Sequence, residues 1–435
     1  MNISQISMLF LGALLVGFTG CKPAPAEAPA SGDIAVQIPI SESTDGVSQY
    51  RLKTVTLKDI STLREVRGKY AQFYLSPGLV KGRLSGGSPV AYFTKTNEQT
   101  YIAKDALSLQ MATIYYHMQK LTTWAQDLGI SVKAPMQVGL NTKIKGDESM
   151  QNNNAFYDGR SKAMLFVPYT ALEMPISVNA GIIAHEFFHS IFFSKVLGPV
   201  SQKRAAAQGQ GSQRISDLTV HSYEGWTDKS ALIQFNLSGE ELFNETYLRG
   251  INEGLADFWG WAYTDDPDFL KWSLSTHVKK RSLNKPSKAS YKTDRDIELA
   301  VLEAQNNSVD PSLMLSNFIY DIGTPYARFL KELVYVKMEN EALPLVEAKR
   351  QVSQFVISYV QSLGSSAVKL KSKDKLSTQD LFLAVDQHDS GLQSKAQCEL
   401  LIQYLNAPLE KADVIAAKYT CEKVQDLESY KVIAP

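Results

Sequence analysis

Several features that would indicate a particular class of protein are missing from this 435-residue sequence. There is no excess of one charge sign, because 45 basic and 45 acidic side chains give a formal net charge of +0. This balance argues against nucleic acid as a main partner, and it offers no electrostatic reason for binding to a membrane surface. The sequence also lacks an internal repeat and a glycine-rich phosphate loop, so nothing indicates a solenoid or a nucleotide site of that kind.

Apolar runs long enough to cross a membrane are lacking too. The clearest apolar run is a short one at the N-terminus. Met8 to Phe18 has the length of a secretory h-region and is too short for a convincing membrane span. The run ends in a small residue followed by Cys21, which resembles the end of a bacterial lipoprotein signal peptide, although no Lys or Arg precedes it. The resemblance implies a signal peptide over residues 1–20, a lipid on Cys21 and a Pro/Ala-rich tether over 21–33.

The residue after the cysteine bears on localisation. Lys22 stands where many inner-membrane lipoproteins carry Asp, so sorting to the outer membrane is favoured. We therefore expect an exported bacterial lipoprotein on the periplasmic or surface face, joined to the membrane by its N-terminal lipid.

Cysteine is scarce, with three in the chain. If Cys21 carries the lipid, Cys398 and Cys421 remain as an even pair in an exported protein. We predict a disulfide between them, and two unpaired buried thiols are the alternative. Their spacing does not suit a metal site.

What is present is the composition of a globular protein, 44% hydrophobic and 21% charged, in a chain long enough for two packed subdomains or more. Strand-like alternation broken by turn clusters predicts a β-rich region over 34–104. Apolar periodicity then predicts a long helix over Asp105–Leu128 and a short strand through Val138 and Leu140. Two further strands, turned at Asp158-Gly159, are predicted to form a hairpin.

The second half is predicted to be mainly helical, after an irregular segment over 195–245. Gln202 to Ser216 is polar and has no apolar periodicity, which predicts a long loop or lid. An inert surface insertion is the alternative interpretation. Over 246–435 the pattern predicts helices around Glu253 and at Asp294–Asn306, Leu313–Met338, Leu343–Leu363, Ser377–Val385 and Ser394–Asn406.

The sequence His185-Glu186-Phe187-Phe188-His189 indicates a metal site. On a helix, two histidines four positions apart project from one face and reach one ion. Glu186 lies beside them, where it can accept a proton from a water that the ion activates. The alternative is a buried helix with two structural histidines and a solvated glutamate.

A catalytic zinc ion of this type needs a third protein ligand. Glu253 is the candidate, and Asp257, one helical turn later, can accept a hydrogen bond from a ligand histidine and fix its orientation. A solvated helix face is the alternative for such a pair. It is disfavoured because two carboxylates on a mostly apolar helix need a partner, and the apolar neighbours are Ile251, Leu255, Phe258 and Trp259.

These segments, in this order, resemble the gluzincin metallopeptidases, the thermolysin-like branch in particular. Asn252-Glu253-Gly254-Leu255-Ala256-Asp257 is similar to the family's third-ligand helix, and Asn154-Ala155-Phe156-Tyr157-Asp158-Gly159 to its edge strand. The resemblance covers about half the chain, from Asp105 to Leu333. It implies an α+β thermolysin-like fold with an upper catalytic subdomain over 105–194, a C-terminal helical subdomain over 246–435, and a zinc site between them.

The resemblance also implies a role for each matched residue. These roles are one zinc ion bound by His185, His189 and Glu253, Glu186 as general base and then proton donor to the leaving amine, Asp257 as partner of a ligand histidine, and Asn154 and Ala155 as contacts to the substrate backbone. No calcium-binding loop is recognisable, so the calcium sites of some relatives are not expected here.

The chain departs from the family pattern at two places. Between His189 and Glu253 lie 63 residues, far more than is usual in the family. Ile319 stands where thermolysin-like enzymes have the histidine that stabilises the oxyanion. Tyr320 stands three residues before Gly323, as does the oxyanion tyrosine of the aminopeptidase branch. We predict that Tyr320 donates this hydrogen bond, with a core-packing tyrosine as the alternative.

The sequence therefore predicts a zinc metallopeptidase acting on peptides or proteins. The strand with which the aminopeptidase branch binds a free amine has no counterpart, so cleavage of internal bonds is favoured. The competing hypothesis is a non-catalytic surface lipoprotein, an adhesion or assembly module on a vestigial metallopeptidase fold. The absent histidine and the long insertion favour this second hypothesis, whereas the complete set of ligands and base argues against it.

Overall fold

The computed structural model describes residues 31–44, 47–80, 83–145, 152–207, 222–223, 237–284, 292–308, 311–381, 384 and 400. The predicted signal peptide, the lipid site Cys21 and the predicted pair Cys398 and Cys421 lie outside these residues. Among the described helices, none is both long and apolar enough to cross a bilayer.

The described residues form a mixed α+β protein, as the sequence predicts. The strands are β1 (Gly32–Thr44), β2 (Val47–Thr62), β3 (Arg67–Gly68), β4 (Ala71–Leu75), β5 (Gly78–Val80), β6 (Arg83–Ser85), β7 (Phe93–Lys95), β8 (Tyr101–Ala103), β9 (Met136–Leu140), β10 (Ile144–Lys145), β11 (Ala155–Asp158), β12 (Ala163–Phe166) and β13 (Ser222–Tyr223). The helices are α1 (Ala106–Asp127), α2 (Ala180–Phe192), α3 (Gly198–Ala207), α4 (Gly239–Thr264), α5 (Ser275–Arg281), α6 (Asp294–Asn307), α7 (Pro311–Met314), α8 (Phe318–Asn340) and α9 (Leu345–Lys369).

The N-terminal sheet has the order β3-β2-β1-β8-β7 and is built on the long antiparallel β1–β2 hairpin. Strand β1 begins at Gly32, within the predicted tether. Its apolar residues alternate with polar ones, so Ile34, Val36 and Ile38 all point into the core. The core side of this sheet packs against α1, which begins where the Asp105 side chain accepts a hydrogen bond from the Ser108 amide at 2.7 Å.

A second sheet, of order β11-β12-β9-β4, places β11 at its edge. Strands β4, β9 and β12 run parallel, and β11 returns antiparallel to β12 as the predicted hairpin. Successive side chains of β11 point to opposite faces. Phe156 packs in a small cluster with Leu84 and Leu165, whereas Ala155 and Tyr157 face the main core and α2.

The predicted irregular segment contains more regular structure than expected. Helix α2 continues through a π-helical turn, Phe193–Leu197, into α3, so Gln202–Ala207 are helical rather than part of a loop. The three alanines that end α3 have the highest helix propensity, and propensity leaves no apolar periodicity in the sequence. Helix α4 begins at Gly239, inside the predicted segment, and β13 pairs with β10.

Helices α6 and α9 follow the predicted pattern. Of the predicted helix Ser377–Val385 the structure describes residues 377–381 and 384, and the predicted helix Ser394–Asn406 lies outside the described residues except for position 400. One prediction is corrected. The predicted helix Leu313–Met338 is two helices, because the chain turns between α7 and α8. Helices α4 and α8 cross with their backbones in contact. A Cβ atom on Gly254 would lie 2.2 Å from the Gly323 carbonyl oxygen, and one on Gly323 would lie 2.4 Å from the Gly250 carbonyl oxygen. Only glycine permits this approach, which fixes Glu253 relative to Tyr320.

Candidate metal centre

Helix α2 owes its start to a capping asparagine. The Asn179 side chain accepts hydrogen bonds from the amides of Gly181 and Ile182 at 3.0 and 3.2 Å. The Ala180 amide donates instead to the hydroxyl of Tyr50, on β2, at 2.9 Å. From this start, the apolar residues of the helix fill the core, and His185 and Glu186 become buried side chains at 5% exposure each.

Donor atoms of three side chains, carried by two helices, converge at one point. Nε2 of His185 lies 3.0 Å from Nε2 of His189, and it lies 3.4 Å from a carboxylate oxygen of Glu253. His189 Nε2 lies 3.6 Å from the other Glu253 oxygen. Tetrahedral zinc with nitrogen and oxygen ligands requires separations of about 3.3 Å between neighbouring donors. The three side chains could therefore hold a metal ion, and the set of two imidazoles and a carboxylate is one that zinc accepts.

Each of the two candidate ligand histidines has an acceptor beside its other ring nitrogen. Nδ1 of His185 lies 3.0 Å from Asp257, the partner predicted from the sequence. Nδ1 of His189 lies 3.0 Å from the side-chain oxygen of Asn252, to which the sequence analysis gave no role. Such contacts hold a ligand ring in the tautomer that turns Nε2 toward the ion.

The sequence analysis missed Arg281, the buried last residue of α5. Its Nε and Nη2 donate to the two Asp257 oxygens at 3.0 and 2.5 Å, and Nη2 lies 3.6 Å from Glu253. Its guanidinium lies 4.5 Å from the ring centre of Tyr320. Arg281 thus contacts the candidate ligand Glu253, the carboxylate of Asp257 and the ring of Tyr320. An arginine after two lysines in a short polar segment carries no signal that could have found it.

The electrostatics of the site keep its buried carboxylates ionised. Burial lowers the pKa of His185, but the carboxylates of Asp257 and Glu253 outweigh it and raise the pKa to about 9. Burial opposes ionisation of Glu253, yet the two histidines hold the pKa of this carboxyl below its ordinary value. Arg281 does the same for the pKa of the buried Asp257. Glu253 and Asp257 therefore stay negative and favour a bound cation.

Glu186 lies beside the donor group rather than in it. Burial raises the pKa of Glu186 to about 8, which is the direction that suits a group exchanging protons near neutral pH. Among the described residues, its Oε2 has no hydrogen-bond partner. A buried polar atom without a partner at this point indicates a ligand or water there.

Of the remaining predicted residues, Tyr320 lies beside Arg281 and the donor group, whereas Asn154 and Ala155 lie at and beside a strand that contacts α2. The charge of Glu253 and then burial raise the pKa of the Tyr320 hydroxyl, which places this tyrosine near the donor group, while Ile319 is packed in the core. Ala155 lies on the edge strand β11 beside α2, and its amide donates to the side chain of Asn154 at 2.8 Å. No protein-family model matches the sequence, and no curated protein matches it.

Proposed function

We propose that this protein is a zinc-dependent peptidase of thermolysin-like fold, anchored outside the cytoplasm by a lipid on Cys21. The observation that carries the proposal is the His185–His189–Glu253 donor triangle with Glu186 beside it. The α+β architecture and the edge strand beside α2 agree with such a fold.

The residues divide the chemistry among them. Zinc bound at this site would lower the pKa of a water molecule towards 7 and polarise the scissile carbonyl. The Glu186 carboxylate would accept a proton from the attacking water and return it to the leaving amine. Its raised pKa, about 8, keeps the two protonation states close in energy near neutral pH. The Tyr320 hydroxyl donates a hydrogen bond to the developing oxyanion.

The substrate backbone is proposed to align along β11. An exposed sheet edge can bind an extended peptide as one more strand, and this mode does not require a free chain end. Asn154 and the outward groups of Ala155 are the proposed contacts. For this reason we favour cleavage of internal bonds.

Glu186→Gln separates the peptidase from the competing non-catalytic lipoprotein. The variant keeps the shape of the side chain and the three donors, so it should still bind one zinc ion per chain. Casein hydrolysis should fall by about 10²–10⁴-fold, because the general base is lost. Zinc content is measured by elemental analysis and hydrolysis by release of fluorescent peptides.

The outcomes distinguish the alternatives. Full activity of Glu186→Gln contradicts the assigned mechanism. One bound zinc ion in the parent protein, with no cleavage of casein or of broad peptide libraries, favours the binding module instead.

A further inference from the structure

Helix α5 carries Arg281 but buries little else. Its seven residues run from Ser275 to Arg281, and Arg281 is the residue buried in it. A helix of this length is not stable by itself in water. Contacts outside α5 must therefore set the position of the helix, and with it the position of the Arg281 guanidinium.

Polar contacts hold α5 at both ends. At its start, Glu173 accepts hydrogen bonds from the hydroxyl and amide of Ser275 at 2.5 and 3.3 Å. At its end, Arg328 of α8 donates from Nε to the Ser282 carbonyl at 2.9 Å and from Nη2 to the Lys280 carbonyl at 3.4 Å. Arg328 is itself 5% exposed.

The two carbonyls that Arg328 binds belong to the residues on either side of Arg281. A planar fork with donors at fixed positions can hold both at once, whereas a lysine ammonium lacks this fixed geometry. The cation also faces the negative end of the α5 dipole. Arg328 therefore fixes the backbone from which the Arg281 side chain projects.

We propose that Arg328 is a positioning residue for the candidate metal centre. It sets Arg281, whose guanidinium binds both Asp257 oxygens, and Asp257 in turn lies 3.0 Å from Nδ1 of His185. Because α8 also carries Tyr320, one helix orients the oxyanion residue and, through Arg328, a metal ligand. The inference rests on the proposal that the site holds zinc.

The test compares zinc binding by the full chain with that of Arg328→Gln and Arg328→Lys. Affinity is measured by competition with a chromophoric chelator, at a temperature where circular dichroism shows each variant to be folded. We expect zinc to bind about tenfold more weakly, since changes behind a ligand histidine typically cost 10–100-fold. The visible spectrum of the Co²⁺-loaded protein should change as well, because it reports ligand geometry.

Two further variants separate positioning from general stability. Lys337 is a buried cation of the same helix that binds Glu341 at 2.8 Å, so Lys337→Met should lower thermal stability without changing zinc affinity or the Co²⁺ spectrum. In an Arg281→Gln background, Arg328→Gln should weaken zinc binding no further, because the two residues act in series.

Three results overturn the inference. The first is unchanged zinc affinity in folded Arg328→Gln, which would mean that other contacts suffice to place α5. The second is an additional loss in the Arg281→Gln background, which would mean that Arg328 acts by another route. The third is a parent protein that binds no zinc, and only this result also overturns the proposed function.

Discussion

The sequence could identify those site residues that lie close to one another along the chain. His185 and His189, like Glu253 and Asp257, are one helical turn apart, so helix geometry alone puts each pair on one face. The structure brings the two pairs together, with the Glu253 carboxylate 3.4 and 3.6 Å from the histidine nitrogens.

Arg281 could not be predicted because its role depends on tertiary structure. Its partners Asp257 and Tyr320 lie on α4 and α8, and no periodicity connects these helices to α5. Asn252 is a different case, since it stands in the predicted motif next to Glu253. The contact between its side chain and His189 depends on how α2 and α4 cross, which the sequence does not show.

Tyr320→Phe tests the oxyanion assignment. The ring that packs under Arg281 remains, so zinc affinity should stay within about twofold of the parent value, while kcat for peptide hydrolysis falls by about 10²–10³-fold through loss of one hydrogen-bond donor. Steady-state kinetics and zinc competition measure the two quantities.

Tyr335→Phe is the matched control, because that tyrosine lies on the same helix with a Lys331 ammonium 5.4 Å from its ring centre. It should change neither kcat nor zinc affinity. A Tyr320→Phe variant with parental kcat would leave Tyr320 as a packing residue.

Helices could be predicted from the sequence where their buried residues recur with a regular spacing. Met111, Ile114, Met118 and Leu121 are all buried on one face of α1, and that regularity is visible in the sequence. Helices α3 and α5 were not predicted because each has a single aliphatic residue larger than alanine, Val200 and Val278, and so neither sequence shows an apolar stripe.

Gly254→Ala tests the crossing of α4 and α8. The new methyl group would meet the Gly323 backbone, which cannot move away as a flexible side chain can. We expect the free energy of unfolding to fall by about 1–3 kcal/mol, as measured by urea denaturation of the metal-free protein. Zinc affinity should fall too, because Glu253 is the adjacent residue.

Gly239→Ala on the same helix is the control. A Cβ atom there has 3.6 Å to its nearest neighbour, a Gln305 side-chain oxygen, so stability should change by less than about 0.5 kcal/mol. Equal effects of the two substitutions would show that the close crossing does not account for the loss.

For the whole molecule, the order of β-rich and helical regions could be predicted, but the pairing of the strands could not. Strand β1 pairs in parallel with β8, and β4 with β9, across long intervening segments. Alternation shows which face of a strand is buried and says nothing about which strand lies beside it.

His117, which is buried between α1 and α4, should contribute to the pH dependence of the free energy of unfolding. Burial lowers the pKa of His117 from 6.5 to about 3, and Nδ1 lies 2.7 Å from the Tyr263 hydroxyl. The unfolded chain takes up a proton below pH 6.5 that the folded protein takes up only near pH 3. The stability that depends on a neutral His117 is therefore fully present above pH 6.5, and it is lost progressively as the pH falls from 6.5 towards 3.

Between pH 7 and pH 5 this histidine should account for a loss of about 2 kcal/mol in the free energy of unfolding. His117→Gln removes the titration and keeps a polar group for Tyr263, so urea denaturation at the two pH values should show a correspondingly smaller difference. The exposed His277, replaced by Gln, should have less effect. A variant at position 117 with the pH dependence of the parent would exclude this role.

The Tyr50 hydroxyl connects the β1–β2 hairpin to the start of α2. It binds the first amide of α2 and lies 3.4 Å from Asn179, while its ring packs on Trp272 at 5.5 Å. A proteolytic cut that released the β1–β2 hairpin would take this contact away from the helix that carries His185. The hairpin therefore supports the start of the helix that carries the candidate ligands, and it lacks the structural independence of a segment that could be removed without loss.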